Sequence, residues 1–320
     1  MASSEPGKAR GVDRVAARAA LGRLRRSEAL PWLHGEIARR LVERLAPMRA
    51  EPRRIVEWWA GAGGGDDVVR AAYPRAERLA VEADAAWAAR RSAAERRPWW
   101  SFGAAGAVVL DETASDAEIG RAQLVWSNMA LHLVVDPPAL FARWHALLEV
   151  DGIAVFSCLG PGTLRELRDL YRGEGWPTPT PGYIDMHDLG DMLVDAGFAD
   201  PVLDQETLNL RWRSAAALLA ELRALGGNTA PDRFPGLRTR AWRDRLLAAL
   251  EERADADGSI GLSVEVAYGH GFKPAPRLRA GVPVAVSLDE MRAMVRRPPP
   301  STRGGALKSA ALSSRRASLR

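Results

Sequence analysis

A short stretch of the chain has the residue types and spacing of a nucleoside site. Glu57 precedes a glycine-rich turn that contains Gly61 and Gly63, and a second acid, Glu82, follows Gly61 by 21 residues. Glycines let a backbone approach a ligand closely, the helix opened by such a turn presents free N–H groups, and an acid about 20 residues on accepts both hydroxyls of a ribose. Dinucleotide dehydrogenases and S-adenosylmethionine (SAM) methyltransferases share this logic. Two features favour the second. Glu57 stands before the glycines, where it would pair with a methionine ammonium and repel a pyrophosphate. Asp111 closes a further apolar run, placed to accept a hydrogen bond from an adenine amino group. The competing reading is an ordinary strand-to-helix turn flanked by solvated acids.

For these residues to meet, strands must end side by side. Short apolar runs at 55–59, 79–81, 107–110, 124–126 and 153–156 read as strands, and polar residues gather at their ends. Between them, 66–72, 85–96, 137–148 and 163–171 read as helices, the third opened by proline and carrying Leu140, Phe141, Trp144 and Leu147 at helical spacing. This alternation argues for an α/β fold with a doubly wound, mostly parallel sheet, whose ligands sit outside the carboxyl ends of the strands. After Tyr171 the rhythm changes. Residues 173–182 are rich in Gly and Pro, 187–196, 214–225 and 241–253 read as helices, and 262–268 alternates like a closing strand. The expected organisation is a disordered lead (1–11), one domain (12–286) with lid insertions at about 173–255, and a basic, disordered tail (287–320).

Composition narrows the function classes. The chain has 320 residues, 47% of them apolar, and no apolar run long enough to span a bilayer. One cysteine, Cys158, and five His in no cluster exclude a zinc ribbon or finger, and no metal is expected. The N-terminus lacks the apolar core of a secretory signal, so a reducing, cytoplasmic setting is expected. The net charge of +5 is local: residues 291–320 hold seven Arg and Lys308 with no acid, which leaves the remainder mildly acidic. That tail is expected to be a solvated extension, and a nucleic-acid partner is not expected.

Several separated blocks then resemble one family, the biotin-pathway SAM-dependent methyltransferases that methylate the free carboxyl of malonyl-[acyl-carrier protein]. They are LVWSNMALH at 124–132, FSCLGPGTLRELR at 156–168, YIDMHDLGDMLVDAGFADP at 183–201 and VAYGHGFKP at 266–274. The resemblance covers roughly residues 12–275. It implies a seven-stranded Rossmann-like sheet with an antiparallel closing strand, SAM as methyl donor, and a malonyl-loaded acyl carrier protein as partner. By position it places Glu57, Gly61 and Gly63 in the first SAM motif, Glu82 on the ribose, Asp111 beside the adenine, and Asn128 facing cofactor and substrate. The related mitochondrial complex I assembly factor shares much of the pattern. A catalytically impaired binding protein, or an enzyme that modifies protein side chains, therefore stays in view.

The chain departs from the family pattern at its glycines. Trp59 stands where the family has its first glycine, Trp58 replaces a small aliphatic residue, and Ala19 replaces a pocket-closing aromatic. Taking Gly61, Gly63 and Gly65 as the motif instead puts Trp59 where the acid belongs. On the substrate side, a carboxylate is already anionic at neutral pH and needs no general base. Positioning and desolvation then carry the reaction, with no firm catalytic acid or base. Arg165 and Arg168, three apart on one helix, are candidates to hold the carboxylate; His132, His187 and Tyr183 are candidates to line the acyl channel. Acyl carrier proteins are acidic, so Arg211, Arg213, Arg238, Arg240, Arg243 and Arg245 are candidate docking groups.

Overall fold

The computed structural model describes residues 11–48, 51–95 and 107–276. Both the basic tail at 287–320 and residues 1–10 of the expected lead lie outside the described residues. Helices α1 (Arg14–Arg26) and α2 (Trp32–Leu45) precede β1 (Arg54–Trp58), and the short α3 (Ala60–Gly63) and α4 (Asp66–Ala72) lead to β2 (Glu77–Glu82). Then follow α5 (Ala85–Glu95), β3 (Val108–Asp111), α6 (Asp116–Ile119), β4 (Ala122–Ser127), α7 (Pro137–Leu147) and β5 (Leu148–Leu159). The chain continues through α8 (Arg165–Gly173), α9 (Met186–Asp195), β6 (Ala199–Trp212), α10 (Ala215–Ala224), α11 (Arg240–Glu251) and β7 (Ile260–Phe272). No helix among the described residues is long and apolar enough to cross a membrane.

The seven strands form one sheet in the order β3-β2-β1-β4-β5-β7-β6. β1 to β5 pair in parallel, and β7 runs antiparallel to both β5 and β6. Strand alternation sends Val56, Trp58, Val125 and Phe156 to one face, where they pack with α1, α7 and α9. Ile55, Leu124, Trp126 and Val155 go to the other, against α2, α8, α10 and α11. The sheet is therefore covered on both sides, the arrangement that near-continuous apolar strands require.

Local signals set the helix starts. Asp13 and Ser214 cap α1 and α10 by accepting from Ala16 N and Ala217 N, and Asp185 accepts from two backbone N–H groups at the start of α9. Two elements run beyond the sequence expectation. β7 extends past 262–268 at both ends, and β6 pairs with it from Ala199 to Trp212 where no strand was expected. β6 is an edge strand whose residues alternate between half-buried and exposed, so it lacks the apolar run that marks a central strand.

Candidate functional site

The turn after β1 is held tightly. Trp59, at the position the resemblance gives to glycine, has φ of 54° and sits in the left-handed region, a conformation that costs a non-glycine residue roughly 1–2 kcal/mol. The surroundings compensate. Its N–H donates to Val81 O at 2.6 Å, its carbonyl accepts from Ala62 N and Gly63 N, and its indole Nε1 donates to Glu112 Oε2 at 3.1 Å. The ring is buried with Leu21, Leu24 and Ala62 in one core. Trp58 points to the α7 side, edge-on to Trp144 at 6.3 Å.

Gly61 and Gly63 are both in close contact. A Cβ on Gly61 would lie 2.6 Å from the Trp87 ring and 2.8 Å from Glu82 Oε2; a Cβ on Gly63 would lie 1.9 Å from the backbone oxygen of Asn128. Asn128 acts as a clamp. Its Nδ2 donates to His34 O and Gly63 O at 2.9 and 2.7 Å, and its Oδ1 accepts from Ser157 Oγ at 2.8 Å. His34, on α2, adds a ring contact from Nδ1 to Ala62 O at 3.1 Å. Burial lowers its pKa to about 4, partly offset by that carbonyl, so the imidazole is neutral.

Glu57 lies within an ion-pair network. Its Oε1 accepts from Arg78 Nε at 2.6 Å, its Oε2 is 3.8 Å from Arg91 Nη2, and both arginines also pair with Asp66. Burial raises its pKa to about 7 against the pull of Arg78 and Arg91. Glu82 ends β2 in register with Asp111 at the end of β3, so these two acids stand side by side. Both Glu82 oxygens accept from Gly61 N at 2.9 and 3.0 Å, and burial raises this carboxyl to about 7 as well. Asp111 is half-buried, and hydrogen bonds from the Thr113 hydroxyl and N–H hold its pKa below the ordinary value.

A second group of residues gathers beyond β4 and β5. His132 and Tyr183 face each other edge-on at 6.3 Å and both line a cavity of about 510 Å³ under α8, α10 and α11. Burial pushes the Tyr183 hydroxyl up and lowers the His132 pKa to about 3. Arg168 borders an adjoining cavity of about 640 Å³ together with Tyr183, its guanidinium donating to Thr163 O and to Pro161 O at 2.6 Å. Arg165 and His187 are not part of this group. Arg165 is exposed and pairs with Glu166, and His187 is exposed at the start of α9.

Five residues were not singled out in the sequence: Trp87 on Gly61, His34 against the turn, Arg78 and Arg91 beside Glu57, and Thr180 in the cavity wall. Among the described residues no His, Cys, Asp and Glu cluster is placed to hold a metal ion.

A seven-stranded sheet of this order, with acids closing β2 and β3 beside a glycine turn, defines a Rossmann-like methyltransferase. The comparisons narrow the class. No family model matches the chain. Malonyl-[acyl-carrier protein] O-methyltransferase of Gallionella capsiferriformans is 36% identical over 83% of this chain and 93% of its own length. The proteins of that name from Laribacter hongkongensis and Halorhodospira halophila are 37% and 33% identical, over 77% and 83% of this chain and 84% and 90% of theirs. The chain belongs to the malonyl-[acyl-carrier protein] O-methyltransferase family.

Proposed function

We propose that the protein methylates the free carboxylate of malonyl-[acyl-carrier protein] with SAM as donor, a step of biotin biosynthesis. Family membership across nearly the full length of the Gallionella relative carries this reading. The donor set fits the nucleoside half of SAM in kind. Glu82 and Asp111 are two carboxylates on adjacent strand ends, and Gly61 offers backbone without a side chain between β1 and β2. In this role Glu82 would hold the ribose hydroxyls and Asp111 the adenine side, with the Trp87 ring moved off Gly61. When bound, SAM supplies an electrophilic methyl group.

The chain's own residues bind and orient the acceptor. The malonyl carboxylate is an anion at neutral pH, so nothing has to remove a proton from it. His132, with its pKa near 3, stays neutral and lends hydrogen-bonding atoms without protonating the nucleophile. Arg168 would be the cation. Two backbone carbonyls fix its guanidinium, leaving its remaining N–H groups for a carboxylate fork at the cavity wall. Holding acceptor and donor in one pose contributes about 7–11 kcal/mol to such a displacement.

A second reading has a specific basis. With Trp59 in the glycine position and Trp87 on Gly61, the chain would retain the scaffold as a binding protein with impaired catalysis. Intact-mass analysis of malonyl-loaded carrier protein after incubation with SAM separates the two. The expected outcome is a gain of one methyl on the malonyl adduct, faster with Trp59→Gly. No gain with either chain, together with no calorimetric binding of SAM at millimolar concentration, favours the second reading.

A further inference from the structure

One buried polar cluster touches both sides of the candidate site. Asn128, which follows β4, is buried, and its partners fix the orientation of its amide. Both N–H groups face carbonyls, those of His34 on α2 and Gly63 in the glycine turn, so the amide oxygen is the atom that meets the Ser157 hydroxyl on β5. A primary amide has two N–H donors, and the fold uses both. Asn128 thus acts at the site by holding its parts together. The turn also rests on it directly, since the backbone oxygen of Asn128 fills the space beside Gly63.

Ser157 closes the cluster. It is fully buried, donates to Asn128 Oδ1 at 2.8 Å and accepts from Met129 N at 3.0 Å. Met129 has φ of 45°, in the left-handed region that residues with a side chain seldom adopt. Directly after it comes the helical turn Leu131–Leu133, which brings His132 to the cavity wall beside Tyr183. Unusual backbone of this kind persists where its surroundings over-determine it, and it gathers at ligand sites. Without the Ser157 oxygen, Asn128 Oδ1 and Met129 N would both lose the partner that satisfies them in the core. Other buried hydroxyls of the sheet join only neighbouring structure around β7: Thr163 bonds to the Glu265 backbone, and Ser263 to the Glu166 carboxylate.

We propose that Ser157 is a positioning residue for methyl transfer. Through Asn128 it fixes the glycine turn, and through Met129 N–H it fixes the segment that bears His132, so one hydroxyl sets the separation of donor and acceptor. This inference rests on the proposed function, which assigns the turn to SAM and the His132 side to the malonyl group.

Two readouts on the full chain test it. In the first, Ser157→Ala is compared with the native chain below the melting transition of either. Its kcat should fall at least about tenfold while KM for SAM and for the carrier substrate each move less than about threefold, since a misplacement of about 1 Å can cost about a hundredfold in rate. Ser157→Cys, whose thiol is a weak donor and acceptor, should fall between the two. The second readout needs no turnover. The chain has five His, and the ring signal of His132, assigned by its loss in His132→Gln, should shift when SAM is added. In Ser157→Ala saturated with SAM that shift should shrink by at least about half.

An unchanged kcat, a loss confined to SAM affinity, no His132 response in the native chain, or equal responses in the two chains would overturn the proposal. Methyl transfer indifferent to Ser157 sinks only this inference. A His132 response that depends on Ser157, in a chain that transfers no methyl group, sinks only the proposed reaction.

Discussion

The two ends of the candidate site differ in what the chain leaves for a ligand. Around the glycine turn the backbone and most carboxylate oxygens are engaged, Glu57 by Arg78, Glu82 by Gly61, Asn128 by three partners and the surface of Gly61 by the Trp87 ring, although Glu57 Oε2 and the indole nitrogens of Trp58 and Trp87 have no hydrogen-bond partner. Under α10 and α11 an open cavity is bordered by Arg223, Arg238, Arg240 and Arg243, which have no ion-pair partner among the described residues. Stability and ligand readiness draw on the same groups. The turn spends most of its groups on the fold, whereas the cavity keeps space and charge at its rim.

Substitutions that separate packing from readiness test this contrast. The largest effect is expected at Gly63→Ala. Its new methyl meets a backbone oxygen at 1.9 Å, which cannot turn aside as a side chain would, so the variant should lose about 4 kcal/mol in urea unfolding. A loss below about 1 kcal/mol would mean that the turn is not packed as described.

The next effect depends on pH. The Glu82 carboxyl is raised from 4.5 to about 7 in the fold, so the folded state keeps this proton at pH values where the unfolded chain releases it. Its contribution is complete below about pH 4.5 and is lost as pH rises through about 7. Gln does not titrate. Glu82→Gln should therefore gain on the native chain by roughly 1.4 kcal/mol per pH unit across that window, read from paired melting curves. A flat difference would show that Arg91 and Gly61 N already compensate the buried charge.

The smallest effect is expected in the cavity. Thr180→Val removes a hydroxyl that bonds to nothing in the fold, so stability should change by less than about 0.5 kcal/mol. A larger loss, measured by the same unfolding assay, would reveal a structural partner and weaken the contrast.

The sheet was legible from sequence wherever a strand carries an uninterrupted apolar run, the edge strand β3 included. The apolar runs that became β1, β2, β3, β4 and β5 end at or beside the residues expected to carry chemistry, since a parallel sheet exposes its ligand-facing groups at one edge. β6 was missed because an edge strand buries one half of each residue pair: Leu208, Leu210 and Trp212 alternate, but Gln205, Glu206 and Asn209 mask the pattern. The long-range partners in the site were not legible. Arg78 and Arg91 reach Glu57 only because β2 and α5 fold beside β1, and the stretch that holds Trp87 reads only as an Ala/Arg-rich helix. The arginines at 238–245 could be counted in the sequence, but their division into paired and unpaired groups depends on where Glu174, Phe234 and Trp242 lie.

The indole on Gly61 has an optical consequence. Trp87 is buried, its Nε1 unpartnered, at the place assigned above to a nucleoside. A purine arriving there has to displace that ring or stack on it, and either event changes the polarity around a natural fluorophore. The chain has 11 Trp, so the part of the emission change that Trp87→Phe removes would report occupancy there without labelling.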